Sequence, residues 1–153
     1  MDSYKELELK AIVKHALTML GKRSYFTVEL SKRLSAEGFS HAAVDHALEI
    51  ASRCGALDDE RRARYLIEKA LERGKSKMSI LYVFKKLGVD LHMINTLLDQ
   101  MANDPRKQIC ALYDKKYSKK GPLDISNKRK VVQFFQRKGF ALDDIFFVLQ
   151  KKM

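Results

Sequence analysis

Five cations, Lys128, Arg129, Lys130, Arg137 and Lys138, flank one apolar run, Val131–Phe135, near the end of the sequence. Side chains of this type, grouped this closely, bind polyanions. On a helix Lys130, Arg137 and Lys138 cluster away from Val131, Phe134 and Phe135, and Lys128 and Arg129 extend the charge at the helix start. Cations at a helix N-terminus oppose its macrodipole, a small local cost that a binding role explains and solubility does not. Lys85 and Lys86, with Arg61 and Arg64 further upstream, complete the candidate set. Residues 106–153 hold 13 Lys/Arg against 4 Asp/Glu, whereas residues 1–105 hold 17 against 15. A charge excess confined to one third of the chain points to a phosphate backbone or an acidic protein surface as the partner class.

Other chemistries have weaker support. Asp58 and Asp59 are adjacent carboxylates, but no third ligand or nearby His accompanies them. They read as an N-cap and a first-turn acid. His41 and His46 do not share a helical face, so a two-His metal site is not expected. Cys54 and Cys110 are isolated and read as buried apolar fillers in a reducing cytoplasm. There is no Gly-x-Gly or Gly-Lys-Ser/Thr pattern to cradle a nucleotide phosphate. The Phe residues fall at core spacing, which argues against a base-stacking platform. The sequence thus predicts no enzyme, no cofactor and no metal.

The elements that would carry the cations form an internal repeat. Gly38, Gly88 and Gly139 are spaced 50 and 51 residues apart. Four residues before them stand Leu34, Phe84 and Phe135, and eight before stand Leu30, Ile80 and Val131. Six after come Val44, Ile94 and Ile145, and ten after come Leu48, Leu98 and Leu149. A period near fifty implies stacked supersecondary units. The spacing predicts a helix, a left-handed glycine stop and a second helix in each copy, with Ser40 and Asp90 as N-caps. Asp143 and Asp144 would serve the first turn of the third copy through the helix dipole.

A further helix precedes each pair. Residues 5–20 carry apolar residues at helical spacing, and Gly21 is the expected stop. Thr27 is expected to start the next helix. Another follows Leu57-Asp58-Asp59, and a third starts at Asp104-Pro105, where Asp caps and Pro takes the first position. Ser118–Pro122 is the expected loop. The fold predicted is all-α, three tandem three-helix repeats over 1–56, 57–103 and 104–153, forming an elongated, curved helical array. The charged N-terminus lacks a secretory apolar core, and no apolar stretch has the ~18 residues of a membrane span.

These features resemble the RecX family of regulatory proteins, modulators of the bacterial RecA recombinase. The resemblance covers nearly the whole chain. Glu29-Leu30-x-x-Arg33-Leu34 with Gly38-Phe39 looks like the family's first module, and Leu57-Asp58-Asp59 like the start of its second. Lys86-Leu87-Gly88-Val89 with Ile94 looks like the second module's helix pair. Phe134-Phe135-x-Arg137-Lys138-Gly139-Phe140 with Ile145 looks like the third and is the most specific. Phe26, Arg62, Ser76-Lys77 and Ser79 depart from the family's usual residues: a Ser/Thr cap, an aromatic, Gly-Pro and Arg, respectively.

The resemblance implies a cytoplasmic, monomeric, non-enzymatic protein of DNA repair, recombination and the SOS response. Such a protein binds in the groove of the RecA–DNA filament, meeting single-stranded DNA there or weakly alone. It inhibits strand exchange, ATP hydrolysis and coprotease activity. Two other readings compete: a helix-turn-helix DNA-binding protein, and a helical-repeat scaffold for another protein.

Overall fold

A computed structural model describes residues 2–101, 104–117, 119 and 125–152. Among them the chain forms nine helices and no strand: α1 (Asp2–Lys22), α2 (Thr27–Ala36), α3 (His41–Arg53), α4 (Asp59–Glu72), α5 (Lys77–Leu87), α6 (Leu91–Met101), α7 (Pro105–Tyr117), α8 (Ile125–Arg137) and α9 (Leu142–Lys152). The loop expected over Ser118–Pro122 lies, Lys119 apart, outside the described residues, as does Asn103. No helix among the described residues is long and apolar enough to cross a membrane.

The repeat positions become the core. Leu30, Ile80 and Val131 are buried, as are Leu34, Phe84 and Phe135, then Val44, Ile94 and Ile145. Of the last set, Leu98 and Leu149 are buried and Leu48 partly so. The expected caps also form. Ser40 Oγ accepts from the Ala43 N–H at 3.2 Å, Asp90 Oδ1 from the His92 N–H at 3.0 Å and Asp104 Oδ1 from the Arg106 N–H at 2.8 Å. Each satisfies an orphan donor of a first helical turn. Gly38, Gly88 and Gly139 take φ of +94°, +77° and +95°. At Gly139 the reason is clear: its N–H reaches Gln136 O at 2.9 Å and the Phe140 N–H reaches Phe135 O at 3.1 Å, while the two rings pack 6.1 Å apart. This is the Schellman closure, with its accompanying apolar contact.

The chain forms two compact units, Met1–Tyr65 with Leu87–Val89, and Leu66–Lys86 with Asp90–Met153. In the first, α1 and α2 pack on α3 around Ile12, Ala16, Leu30, Leu34, Val44 and Ala47. Phe26 occupies the N-cap position of α2 with its ring fully buried, and Glu29 Oε1 accepts the Phe26 N–H at 3.0 Å. Arg62 lies 5.0 Å from the centre of that ring and 3.6 Å from Glu29, so its guanidinium links the buried ring to the acid of the first turn. In the second unit α7 and α8 pack on α9 around Ile109, Tyr113, Val131, Phe135, Ile145 and Leu149.

Three expectations fail here. Gly21 does not stop α1, which runs to Lys22, because an exposed glycine with open space around it costs a helix only about 1 kcal/mol. Cys54 is exposed rather than buried, since it follows the last turn of α3 and only donates back to Ala51 O at 3.4 Å. Phe146 and Phe147 point outward at 41% and 39% exposure. Ile145, Val148 and Leu149 already fill the inward stripe of α9, leaving both Phe residues on the opposite face.

Candidate polyanion-binding site

α8 is the element that assembles the predicted cations. Its sequence, ISNKRKVVQFFQR, contains no carboxylate and ends with Arg137. Val131 and Phe135 lock one face into the core, which turns Arg129, Lys130, Gln133, Gln136 and Arg137 into solvent. Arg129, Gln133, Gln136 and Arg137 are spaced four, three and one apart, so they form one stripe about 12 Å long. Two shallow grooves share the central amides of this stripe. One, of about 540 Å³, is lined by Lys128, Arg129, Val132, Gln133, Gln136 and Phe146. The other, of about 470 Å³, is lined by Gln133, Gln136 and Arg137.

The remaining predicted residues behave differently. Lys138 lies beyond the helix and donates from Nζ to Arg73 O at 2.8 Å, capping the last turn of α4. Its ammonium also stands 5.5 Å from the Phe134 ring centre. Arg64 pairs with Glu60 one turn back at 3.1 Å, and Arg61 donates to Gly55 O at 2.9 Å. Lys85 and Lys86 are exposed on α5, with Lys86 Nζ 4.6 Å from the Tyr82 ring centre. Lys128, Arg129, Lys130 and Arg137 therefore share α8, while Arg61 and Arg64 belong to the first unit.

Sequence reasoning missed the aromatic half of this surface. Phe147 is flanked by Arg106 at 3.8 Å and Lys151 at 4.5 Å from its ring centre. Phe134 carries Lys116 at 3.7 Å. Phe146 has Lys128 at 5.8 Å. The signal was available: apolar residues at 145, 148 and 149 leave 146 and 147 on the far face. Arg106 also pairs with Asp144 at 2.9 Å, which offsets one of the two carboxylates at the start of α9. At the end of α9, a hydrogen bond to Asp114 at 2.7 Å raises the pKa of Lys152, and burial raises that of Tyr117.

The paired aspartates are both occupied by main-chain donors. Asp58 Oδ1 accepts the Arg61 N–H at 3.1 Å, the expected N-cap of α4. Asp59 Oδ1 instead accepts the Thr27 N–H at 2.8 Å and the Thr27 hydroxyl at 3.0 Å, tying the start of α4 to the start of α2. A concavity of about 300 Å³ adjoins them, lined by Tyr25, Asp58, Arg61, Arg62 and Tyr65 among others. The Asp58 carboxylate stands among the Arg61 and Arg62 guanidiniums, so this concavity lacks the single sign of charge carried by α8.

Comparison with known proteins gives a consistent result. Residues 104–149 match a family model described as "RecX, third three-helix domain". A protein of Halorhodospira halophila named regulatory protein RecX is 27% identical over 136 residues, 89% of this chain and 84% of that protein. One of Legionella pneumophila with the same name is 28% identical over 130 residues, 85% and 87% of the two chains. The crystal structure of RecX from Lactobacillus salivarius superposes with a TM-score of 0.76 at 16% identity, covering 94% of this chain and 96% of that one. The resemblance to the RecX family holds, and the fold is that of its three-helix repeats.

Proposed function

We propose that this protein binds the filament that a RecA-type recombinase forms on DNA and restrains its strand exchange, ATP hydrolysis and coprotease activity. The relatives' shared name, regulatory protein RecX, supports a regulatory role. The observation that carries the reading is the carboxylate-free face of α8, with Arg129, Lys130 and Arg137 exposed along it. A stripe of one charge sign suits a groove that contains phosphates. In this reading the chain is a non-enzymatic, cytoplasmic monomer of three repeats, 1–56, 57–103 and 104–153, needing no cofactor.

Sequence-specific reading of bare DNA by α9 fits less well. The first turn of α9 presents Asp143 and Asp144, where a recognition helix needs donors toward bases and phosphates. Binding measured against bare DNA, bare recombinase and the assembled filament tests the proposal. The expected order places the filament tightest, with its ATP turnover falling as the protein is added. Equal affinity for bare duplex DNA, or binding to recombinase that is indifferent to DNA, would overturn it.

A further inference from the structure

The filament reading leaves open whether α8 meets a nucleic-acid strand or an acidic protein surface. The groove between α8 and α9 favours the former. Its lining combines three chemistries: the cations Lys128 and Arg129, the amides of Gln133 and Gln136, and the face of Phe146 beside Val132. Among the described residues no carboxylate lines it. A strand of unpaired DNA presents phosphates, base edges and flat π-faces to match. An acidic peptide would use the cations and the amides but leave the ring face without a stacking partner.

Phe146 differs from its neighbour in a way that matters. The Phe147 ring is held between Arg106 and Lys151, at 3.8 and 4.5 Å. The Phe146 ring meets Lys128 only at 5.8 Å, close to the ~6 Å limit for an effective cation–π contact. It is 41% exposed and lines the shallow groove. The α8 stripe is about 12 Å long, the reach of three to four stacked nucleotides at ~3.4 Å each.

We propose that this groove is a subsite for an unpaired nucleotide of single-stranded DNA. The base stacks on Phe146, its edge meets Gln133 or Gln136, and the flanking phosphates meet Lys128 and Arg129. This deepens the filament reading and rests on it for its biological setting, because the filament is where such a strand is found.

The test compares a short thymidine oligonucleotide with an abasic one of the same length, which keeps the phosphates and removes the bases. The wild-type chain should bind the thymidine strand more tightly by about 5- to 150-fold, the range for stacking one base. Phe146→Ala and Phe146→Leu should remove that preference without changing the salt dependence, and Phe146→Trp should keep it. Equal binding of the two strands by the wild type, no binding of either, or an equal loss for both in Phe146→Ala would overturn the subsite. Displacement by polyglutamate as effective as by thymidine would overturn it too, assigning the groove to an acidic protein. Filament binding measured in parallel separates the two readings. A chain that prefers bases but ignores the assembled filament keeps the subsite and sinks the filament reading; the reverse result sinks the subsite alone.

Discussion

The Ser76 N–H donates to the Lys138 carbonyl oxygen at 3.0 Å, joining the start of α5 to the end of α8. Ser76 is buried, and its hydroxyl caps α5 by accepting the Ser79 N–H at 3.1 Å. Gly139 closes the seam: a Cβ there would stand 2.4 Å from Ser76 Oγ and 2.8 Å from Ser79 Cβ. A side chain branching further at 79 would meet the same close approach, so this seam needs a small residue there and a glycine at 139.

Gly139→Ala and Gly38→Ala make a controlled pair. Both glycines have φ near +95°, but a Cβ on Gly38 meets nothing within 4 Å. Gly38→Ala should cost the left-handed penalty alone, about 1–2 kcal/mol. Gly139→Ala should cost distinctly more, because the Ser76 seam must open. Urea titration of both variants checks this, and equal destabilisation would show that the seam yields freely.

Core truncation tests the repeat itself. Leu34→Ala, Phe84→Ala and Phe135→Ala each remove a side chain no more than 2% exposed and should cost roughly 2–5 kcal/mol. A thermal melt of Phe84→Ala indistinguishable from wild type would remove the middle copy from the repeat.

The two aspartates should separate in a double-mutant cycle. Asp58→Ala should cost a cap's worth, about 0.5–2 kcal/mol, independently of Thr27. Asp59→Ala and Thr27→Ala should instead be coupled, by roughly 0.5–3 kcal/mol, through the hydroxyl bond at 3.0 Å that Thr27→Ala removes, while the main-chain bond at 2.8 Å survives that substitution. Additive effects would mean that the hydroxyl bond contributes nothing.

Cations on α8 should govern binding, and Lys138 should govern folding. Arg129→Ala with Arg137→Ala should weaken filament binding and flatten its salt dependence, by about one unit of slope for each phosphate that is no longer neutralised. Lys138→Ala should lower stability by about 1 kcal/mol or less through its bond to Arg73 O, with little change of slope. An unchanged slope in the arginine pair would move the binding face off α8.

Acid should weaken the first unit through Glu8. Its carboxylate accepts the Ser40 N–H at 2.8 Å, and this bond, helped by the Ser40 hydroxyl, lowers its pKa. A depressed folded pKa means the contribution is present above the ordinary glutamate value of about 4.3 and disappears as pH falls through the folded value. The melting temperatures of wild type and Glu8→Gln should therefore converge as pH drops through that window. A constant difference at all pH values would remove Glu8 from the acid response.

What the sequence determined by itself lay mostly within stretches of about ten residues. The caps at Ser40, Asp58, Asp90 and Asp104 and the stop at Gly139 depend on adjacent backbone groups. The buried stripes depend on spacing along one helix. Tertiary structure decided the pairings between segments far apart in the chain. It tied Asp59 to Thr27, turned Lys138 from the candidate binding face to Arg73 O, and set Phe146 beside Gln133 and Gln136 in one groove. Local rules carry no distance between separate helices, so a lysine bound for solvent and one bound for a helix end look the same in sequence. Only the packing of the cores, which fixes where each helix face points, tells them apart.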